Sequence, residues 1–337
     1  MSLCQGLRAV WAAALLVAAA MPAWAADFYA GKTLTIIVGF SPGGGFDLNA
    51  RLLARHLGAH IPGHPDVIVV NMPGAGSVVS LKHLDTNAVK DGTIIDIFNF
   101  GLINDALLQP EKARLDFRNY AWIGSIAEDF TACYVWRALG PRSIAEMKKH
   151  GVIHYGRVGV GTSEDLNTKI LMNIFGVGMQ QVAGYPGSAE IRVAIERGEL
   201  DGDCGAWSSI PEDWIKGGKI NVVARSGAVL PDDMAKDVPY FLDIAPDPHA
   251  RRLIRFLLAD SDVGRPFVAS REVPAERIAI LRAAFDATVK DPAFIADAKT
   301  LRLPVSPRSG AEATKVIDEI YATPPDIIAA ARKVVAD

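Results

Sequence analysis

The chain has 337 residues, of which 50% are hydrophobic and 22% are charged, a composition that excludes a disordered or low-complexity protein. Its 35 Lys and Arg residues against 38 Asp and Glu give a formal net charge of −3. This balance excludes a basic surface for a phosphate backbone, so we expect no nucleic-acid partner. The length predicts about two domains.

Residues 1–25 have the pattern of an export signal. Arg8 supplies a positive charge, Ala9–Ala20 is an apolar run of 12 residues, and Ala23-Trp24-Ala25 supplies a small-residue cleavage site. The run is too short to span a bilayer. The sequence therefore predicts a signal peptide cleaved after about Ala25 and a periplasmic mature chain. An uncleaved N-terminal membrane anchor is the alternative.

Alternating strands and helices follow this segment and predict an α/β architecture. The elements predicted in the first hundred residues are a strand at Thr33–Phe40, a helix at Asp47–His60, a strand at Val67–Val70, a helix at Val78–Ala88 and a strand at Thr93–Phe98. Connections of this kind predict a parallel sheet.

A second block begins after about residue 125. Its predicted strands are Ala132–Trp136, Val152–Val158 and Asn221–Ala224, and its predicted helices are Glu164–Phe175 and Ala189–Arg197. From Pro274 onwards the chain is predicted to be mostly helical, with a capping box at Ser309–Glu312.

The turn between the first strand and the first helix is rich in glycine. It reads Ser41-Pro42-Gly43-Gly44-Gly45-Phe46-Asp47. Glycines let backbone N–H groups approach a ligand, and a helix N-terminus favours an anion, so the pattern is typical of a carboxylate site. An ordinary tight turn with Asp47 as the helix N-cap is the structural alternative.

Particular residues argue against two other interpretations of this turn, a nucleotide-binding site and the nucleophile turn of a serine hydrolase. No Gly-Lys-Ser/Thr follows the glycines, and the G-x-G-x-x-G spacing is absent, which excludes a nucleotide site. Gly39–Gly43 matches the G-x-S-x-G pattern of serine hydrolases, with Ser41 as nucleophile. The residue after such a nucleophile supplies an N–H to the oxyanion hole, and Pro42 has none, which argues against hydrolysis.

Three further sites lie in the second block. Gly159–Ser163 repeats the arrangement of strand, glycine turn and helix, so we expect two helix N-termini to face a ligand across a cleft. Gly184–Ser188 precedes a third helix, and an ordinary turn is its alternative interpretation. Trp207 lies where a strand should end, and either lines the cleft or is a half-buried structural residue.

Cysteines and histidines offer little further chemistry. Cys133 and Cys204 are the cysteines of the predicted mature chain, and in an oxidising compartment they form either a disulfide or two buried thiols. The sequence leaves both alternatives open. His56 and His60 are one helical turn apart but lack a completing ligand set, so we expect no metal and no other cofactor.

An ordered series of motifs resembles the Bug-type periplasmic receptors, the substrate-binding components of tripartite tricarboxylate transporters. The series spans the predicted mature chain and consists of Phe40–Asp47, Asn71–Gly76 (NMPGAG), Asp91-Gly92-Thr93, Gly159–Ser163, Gly184–Ser188, Gly264–Phe267 (GRPF) and Val273-Pro274. The resemblance implies a two-lobed Venus-flytrap fold of the type II-like periplasmic-binding-protein class, with a hinge of crossing strands. It assigns residues 26–127 and 226–337 to the first lobe and 128–225 to the second.

The resemblance also implies a function. The glycine turns would hold the carboxylate of a small organic ligand, the partner would be the membrane subunits of the transporter, and the receptor would be a monomer without catalytic activity. The expected ligand-binding residues are Phe40, Ser41, Pro42, Gly43, Gly44, Gly45, Phe46, Asp47, Gly101, Gly161, Thr162, Ser163, Tyr185, Pro186, Gly187 and Trp207. A secreted hydrolase that uses Ser41 and a ligand-presenting sensor for a membrane kinase are the alternatives.

Two departures from the family pattern bear on the ligand. Cys204–Trp207 stands where the family often has an aromatic residue and an acid, and Phe46 stands where Thr or Ser is common. Both changes remove polar groups from the expected cleft. We therefore expect a ligand with an apolar or aromatic body and one or two carboxylates to bind more tightly than citrate.

Overall fold

The computed structural model describes residues 28–227, 230–231 and 233–336. The predicted signal peptide lies outside these residues. The strands, in chain order, are β1 Thr33–Val38, β2 Asp66–Asn71, β3 Ile94–Ile97, β4 Tyr120–Ser125, β5 Thr131–Trp136, β6 Ile153–Arg157, β7 Met179–Ala183, β8 Gly202–Ala206, β9 Ile220–Arg225, β10 Pro266–Ser270 and β11 Arg308–Ser309.

Helices separate most of these strands and confirm the predicted α/β class. In chain order they are α1 Gly45–His60, α2 Val78–Thr86, α3 Leu102–Leu108, α4 Pro110–Ala113, α5 Ile144–His150, α6 Ser163–Lys169, α7 Ser188–Glu196, α8 Glu212–Lys216, α9 Pro248–Leu257, α10 Ala275–Thr288, α11 Pro292–Thr300, α12 Gly310–Tyr321 and α13 Pro325–Val335. Among the described residues, none of these helices combines the length and the apolar character needed to cross a bilayer.

The strands form two sheets, and we call the bodies around them lobe 1 and lobe 2. The sheet of lobe 1 has the order β11-β4-β10-β3-β1-β2, and that of lobe 2 has the order β7-β6-β8-β5-β9. β1 pairs in parallel with β2 and β3, as predicted. β10 is antiparallel to β3 and β4, and β5 is antiparallel to β8 and β9, so both sheets are mixed.

The central strands of the lobe 1 sheet are buried on both faces. On one side, Leu53 of α1 and Phe285 of α10 belong to one apolar cluster, and on the other, Leu81 of α2 and Ile317 of α12 belong to a second. Because both faces are covered, β1 reads as the near-continuous apolar run TLTIIV rather than as an alternating strand.

Parts of residues 226–337 depart from their predicted assignment to lobe 1, since Leu230, Met234 and Val238 pack in an apolar cluster of lobe 2. Helices α9 and α13 pack in another apolar cluster of lobe 2, where Ile254 of α9 and Val334 of α13 join Ile170. Lys169 Nζ also donates to the carbonyl of Val335 at 2.7 Å. The chain therefore passes between the lobes more often than the resemblance implied, because these helices carry apolar faces that complete the second core.

Candidate functional site

The first glycine turn joins β1 to α1 and is held in shape by Asp47. The N–H of Gly43 donates to Asp47 Oδ2 at 2.8 Å. Gly43 has a φ of +85°, a left-handed conformation that favours glycine. Gly44, the N-cap of α1, has a φ of −85°, and a Cβ built on it would meet no atom within 4 Å. Room for a ligand atom therefore lies beside the Gly44 backbone, at the positive end of the helix.

The carboxylate of Asp47 is buried and engaged by the protein itself. Arg51 pairs with it at 2.9 Å, and Asn71 Nδ2 donates to Oδ1 at 2.9 Å. Burial acts to raise the pKa of Asp47, but the hydrogen bonds from Arg51, Gly43 and Asn71 outweigh it and lower the pKa. The structure thus gives Asp47 the role of fixing the turn.

The second glycine turn, between β6 and α6, has the same construction. The N–H of Gly161 donates to Asp165 Oδ2 at 3.0 Å, and Gly161 has a φ of +73°. Thr162 is the N-cap, and its hydroxyl oxygen accepts from the Asp165 N–H at 3.2 Å. Arg157 pairs with Asp165 at 3.2 Å. In both lobes, an aspartate four residues after a glycine ties the turn to the start of its helix.

The second glycine turn contacts lobe 1 at the segment that follows β3. Asn99, just after β3, donates from Nδ2 to the carbonyl of Gly161 at 2.8 Å. A Cβ on Gly101 would lie 1.9 Å from the same carbonyl oxygen, so the approach requires glycine there. Thr162 is fully buried and Ser163 nearly so. The predicted residues Gly101, Gly161, Thr162 and Ser163 are therefore brought together.

Helix α7 of lobe 2 contacts the first glycine turn directly. The Ser41 hydroxyl donates to Glu190 Oε2 at 2.9 Å, and Arg192 Nη2 donates to the Gly43 carbonyl at 3.2 Å. A Cβ on Gly187 would lie 2.2 Å from Ser41 Oγ. Gly187 belongs to the predicted turn Gly184–Ser188. In the same turn, Tyr185 is half-buried against the core of lobe 2, and Pro186 is exposed.

Phe46, one of the predicted ligand-binding residues, is half-buried and packs between Phe40 and Arg265. Its ring stacks on Phe40 with centroids 4.6 Å apart and an interplanar angle of 10°. The guanidinium of Arg265 lies over the ring at 4.7 Å. Phe46 and Phe40 thus form part of the wall of lobe 1 that supports the glycine turn.

Arg265 is a residue at this site that sequence reasoning missed. Its side chain is 5% exposed, and Nη1 pairs with Asp129 Oδ1 at 2.5 Å. A Cβ on Gly45 would lie 3.5 Å from Arg265 Nη2, so the guanidinium lies against the glycine turn. Burial raises the pKa of Asp129, and the charge of Arg265 counteracts this in part. The available signal was one charged residue in the segment Gly264-Arg265-Pro266-Phe267.

A cavity of about 620 Å³ lies between the lobes on the other side of Arg265. Trp207 lines it, and the Trp207 indole donates to Asp233 Oδ1 at 2.7 Å. None of the other lining residues was predicted to bind a ligand; they are Glu128, Asp129, Phe130, Ser208, Gly227, Leu230, Pro231, Asp233, Arg265, Lys299, Arg302, Leu303, Pro304, Val305 and Ser306. The volume lies within the range of small-molecule sites, roughly 300–1,000 Å³.

Two carboxyl groups are buried behind the second turn. Asp203 on β8 and Glu164 on α6 are 1% and 5% exposed, and Ser188 donates to Glu164 Oε1 at 3.1 Å. Burial raises the pKa of Asp203 well above its ordinary value, and the charge of Glu164 adds to the effect. Burial likewise raises the pKa of Glu164. At least one of the pair therefore retains its proton where a solvated carboxyl would ionise.

Cys133 and Cys204 are joined by a disulfide in the structure. They lie directly opposite each other on the antiparallel strands β5 and β8, and both are buried. Of the two alternatives left open by the sequence, the structure has the bridge. It ties together the two strands that lead to Trp207 and to the buried carboxyl pair.

The two histidines of α1 each pair with a separate aspartate. His56 lies 3.0 Å from Asp297 and His60 lies 2.9 Å from Asp291. Among the described residues, no cluster of three or more His, Cys, Asp or Glu side chains could hold a metal ion.

The fold matches solved periplasmic binding proteins over nearly its whole length. A structure of the periplasmic binding protein BugD superposes with a TM-score of 0.74 at 19% identity and covers 91% of this chain and 98% of that chain. MatC from Rhodopseudomonas palustris with bound malate gives 0.71 at 18%, covering 91% and 99%. Rpa4515 from R. palustris with adipate gives 0.71 at 18%, covering 90% and 98%. The class is therefore a two-lobed periplasmic-binding-protein fold.

Sequence relatives point in the same direction. A UPF0065 protein from the ttuE-ttuC' intergenic region of Agrobacterium vitis is 27% identical over 199 residues, 57% of this chain and 56% of the relative. A UPF0065 protein of Bordetella pertussis is 30% identical over 205 residues, 58% of this chain and 60% of the relative. The chain thus spans a little over half the length of these curated relatives. No family model matches it. Together, the relatives and the fold confirm the resemblance to Bug-type periplasmic receptors.

Proposed function

We propose that the chain is an exported solute receptor that binds a small organic carboxylate between its lobes and delivers it to the membrane subunits of a tripartite transporter. One observation carries the proposal. Two glycine turns, each at a helix N-terminus and each tied back by an aspartate, contact the opposite lobe, the first through Ser41 and Glu190 and the second through Gly161 and Asn99. Backbone N–H groups at such helix starts favour a bound carboxylate.

The ligand class is inferred from the positive N-terminal ends of the two helices and from the ligands of the fold neighbours. Two of those neighbours hold malate and adipate, both small dicarboxylates. The aspartates already accept from Gly43 and Gly161, so the ligand would use the N–H groups that follow, beginning at Gly44. The Ser41–Gly45 and Gly161–Ser163 segments would then close on one carboxylate from opposite lobes.

Binding without catalysis is the better account of Ser41. Its hydroxyl donates to the carboxylate of Glu190 rather than to an imidazole base, and Pro42 has no N–H for an oxyanion. The fold neighbours named above are binding proteins rather than enzymes. We therefore propose a periplasmic, monomeric receptor, with the predicted lobe limits modified by the positions of α9 and α13. A sensor that presents ligand to a membrane kinase would use the same lobes, and the family's permease partner favours transport.

A thermal-shift screen tests the proposal. Mono-, di- and tricarboxylates are each compared with their neutral methyl esters on the purified mature chain. A bound ligand at 100 times its dissociation constant stabilises the folded state by about 2.7 kcal/mol. We expect at least one carboxylate to raise the melting temperature and its ester to have no effect. Equal shifts by acid and ester, or hydrolysis of the ester, would contradict the proposal.

A further inference from the structure

The cavity beside Arg265 has walls from both lobes and a mostly apolar surface. Phe130, Trp207 and Leu230 line it from lobe 2, and Leu303, Pro304 and Val305 line it from lobe 1. An occupant would therefore contact both lobes at once. Such an occupant stabilises the closed arrangement, because it loses contacts if either lobe moves away.

Four charged side chains of the cavity form two pairs, while Glu128 pairs with Arg308 outside the cavity and Lys299 is exposed to solvent. Asp129 pairs with Arg265 at 2.5 Å, and Asp233 pairs with Arg302 at 3.1 Å and also accepts from Trp207. A carboxylate pushed deep into this cavity would lose its hydration and would have to compete for donors that are already engaged. An apolar group would instead gain from burial, by about 25 cal/mol for each Å².

Arg265 connects the cavity to the first glycine turn. Its Nη1 is engaged by Asp129 and by the Gly264 carbonyl, and its plane lies over Phe46. Its Nη2 lies beside Gly45. A Cβ added to Gly45 would lie 3.5 Å from Arg265 Nη2 and 3.3 Å from Ala206 Cβ. The residue that follows Ala206 is Trp207, a wall of the cavity. The guanidinium therefore lies between the first glycine turn and the cavity, and Nη2 is placed to donate to a carboxylate that is held at the turn and extends towards the cavity.

We infer that the ligand has a carboxylate at the first glycine turn, where Arg265 Nη2 is a further donor, and a ring-sized apolar body in the cavity. This inference rests on the proposed function, since it assumes that the turn binds the carboxylate. It assigns Arg265 as a binding residue and Trp207 and Val305 as residues that determine specificity. The ligand class is then an aromatic or alicyclic carboxylate, in contrast to the malate and adipate of the fold neighbours.

The experiment compares a ring-bearing acid with a short acid in two matched variants. Val305→Trp fills the cavity from lobe 1, and Val152→Trp places the same side chain at an exposed position of lobe 2 as the control. Calorimetry measures the affinities of 3-phenylpropionate, propionate and citrate, and thermal unfolding checks that each variant is folded. In the wild type, we expect 3-phenylpropionate to bind at least tenfold more tightly than propionate and citrate.

The variants separate this inference from the proposed function. We expect Val305→Trp to weaken 3-phenylpropionate at least tenfold and to leave propionate unchanged, while Val152→Trp changes neither. We expect Arg265→Lys, which keeps the charge but loses the planar fork, to weaken both ligands. If carboxylates bind but Val305→Trp has no selective effect on the ring-bearing acid, the inference is wrong and the proposed function stands. If no carboxylate binds the wild type, the proposed function itself fails.

Discussion

The hydroxyl of Ser41 in lobe 1 donates a hydrogen bond of 2.9 Å to the carboxylate of Glu190 in lobe 2. The two residues are 149 positions apart and meet because the first glycine turn faces the start of α7. The candidate nucleophile of the G-x-S-x-G pattern is thus part of the contact between lobes. A serine that is committed to an acidic partner lacks the imidazole that would remove its proton.

Replacing Ser41 by alanine should weaken ligand binding modestly. A hydrogen bond of this kind is worth about 0.5–1.5 kcal/mol, so we expect a roughly two- to tenfold loss of affinity if closure accompanies binding. Glu190→Gln retains an acceptor and should have a smaller effect. Calorimetry measures both, in parallel with an ester-hydrolysis assay. Ester turnover by the wild type that disappears in Ser41→Ala would support the hydrolase alternative instead.

The disulfide between Cys133 and Cys204 should stabilise lobe 2 substantially. The bridge closes a loop of 71 residues, for which the chain-entropy model gives about 4 kcal/mol. We expect the double variant Cys133→Ala/Cys204→Ala to unfold at correspondingly lower denaturant concentration. Thiol labelling of the denatured, unreduced mature protein should find no reactive thiol. Two labelled cysteines would show that the native protein lacks the bridge.

Asp203→Asn should stabilise the protein at high pH more than at low pH. Because the folded-state pKa of Asp203 is raised by burial, the folded chain retains a proton that the unfolded chain releases above about pH 4. Stability therefore falls as pH rises from there through the folded-state pKa, by about 1.4 kcal/mol for each unit between the two values. Asparagine does not ionise, and its side-chain oxygen can still accept from the Cys204 N–H.

Denaturant unfolding between pH 4 and pH 8 measures this difference. We expect the gain from Asp203→Asn to be near zero at pH 4 and to grow towards pH 8. Asp66→Asn, at an exposed position of β2, serves as the control and should show no such trend. A gain that is constant across the pH range would mean that Asp203 ionises normally in the folded state.

Much of the fold could be predicted from local patterns. The strand and helix on either side of the first glycine turn were predicted at 33–40 and 47–60 and occur at Thr33–Val38 and Gly45–His60. The capping box predicted at Ser309 is present. These elements combine a strong periodicity with glycine or serine at their ends, and such signals depend on neighbouring residues alone.

Other elements were missed because their signals are not local. β10 (PFVAS) begins with proline and pairs with β3 and β4 from more than 140 positions away. A strand ending near Trp207 was expected, but β8 (GDCGA) carries two glycines and an acid, so its own composition gave no range, and neighbouring strands hold it. The same limit applies to the site. Arg265, Glu190 and Asn99 reach the glycine turns only through the tertiary fold, and of the three only Arg265 lies in a segment that the sequence analysis singled out.

The variant Gly44→Val tests whether the backbone beside Gly44 holds the ligand carboxylate. The φ of Gly44 is −85°, so valine meets no left-handed strain, and its side chain would occupy the room assigned to the ligand. Ala275→Val, at the exposed first residue of α10, is a control for the added bulk at a helix start. Calorimetric titration with the carboxylate identified in the thermal-shift screen should show no binding to Gly44→Val and unchanged affinity for Ala275→Val, with both variants folded. Wild-type affinity in a folded Gly44→Val protein would contradict the account, because the ligand would then lie elsewhere.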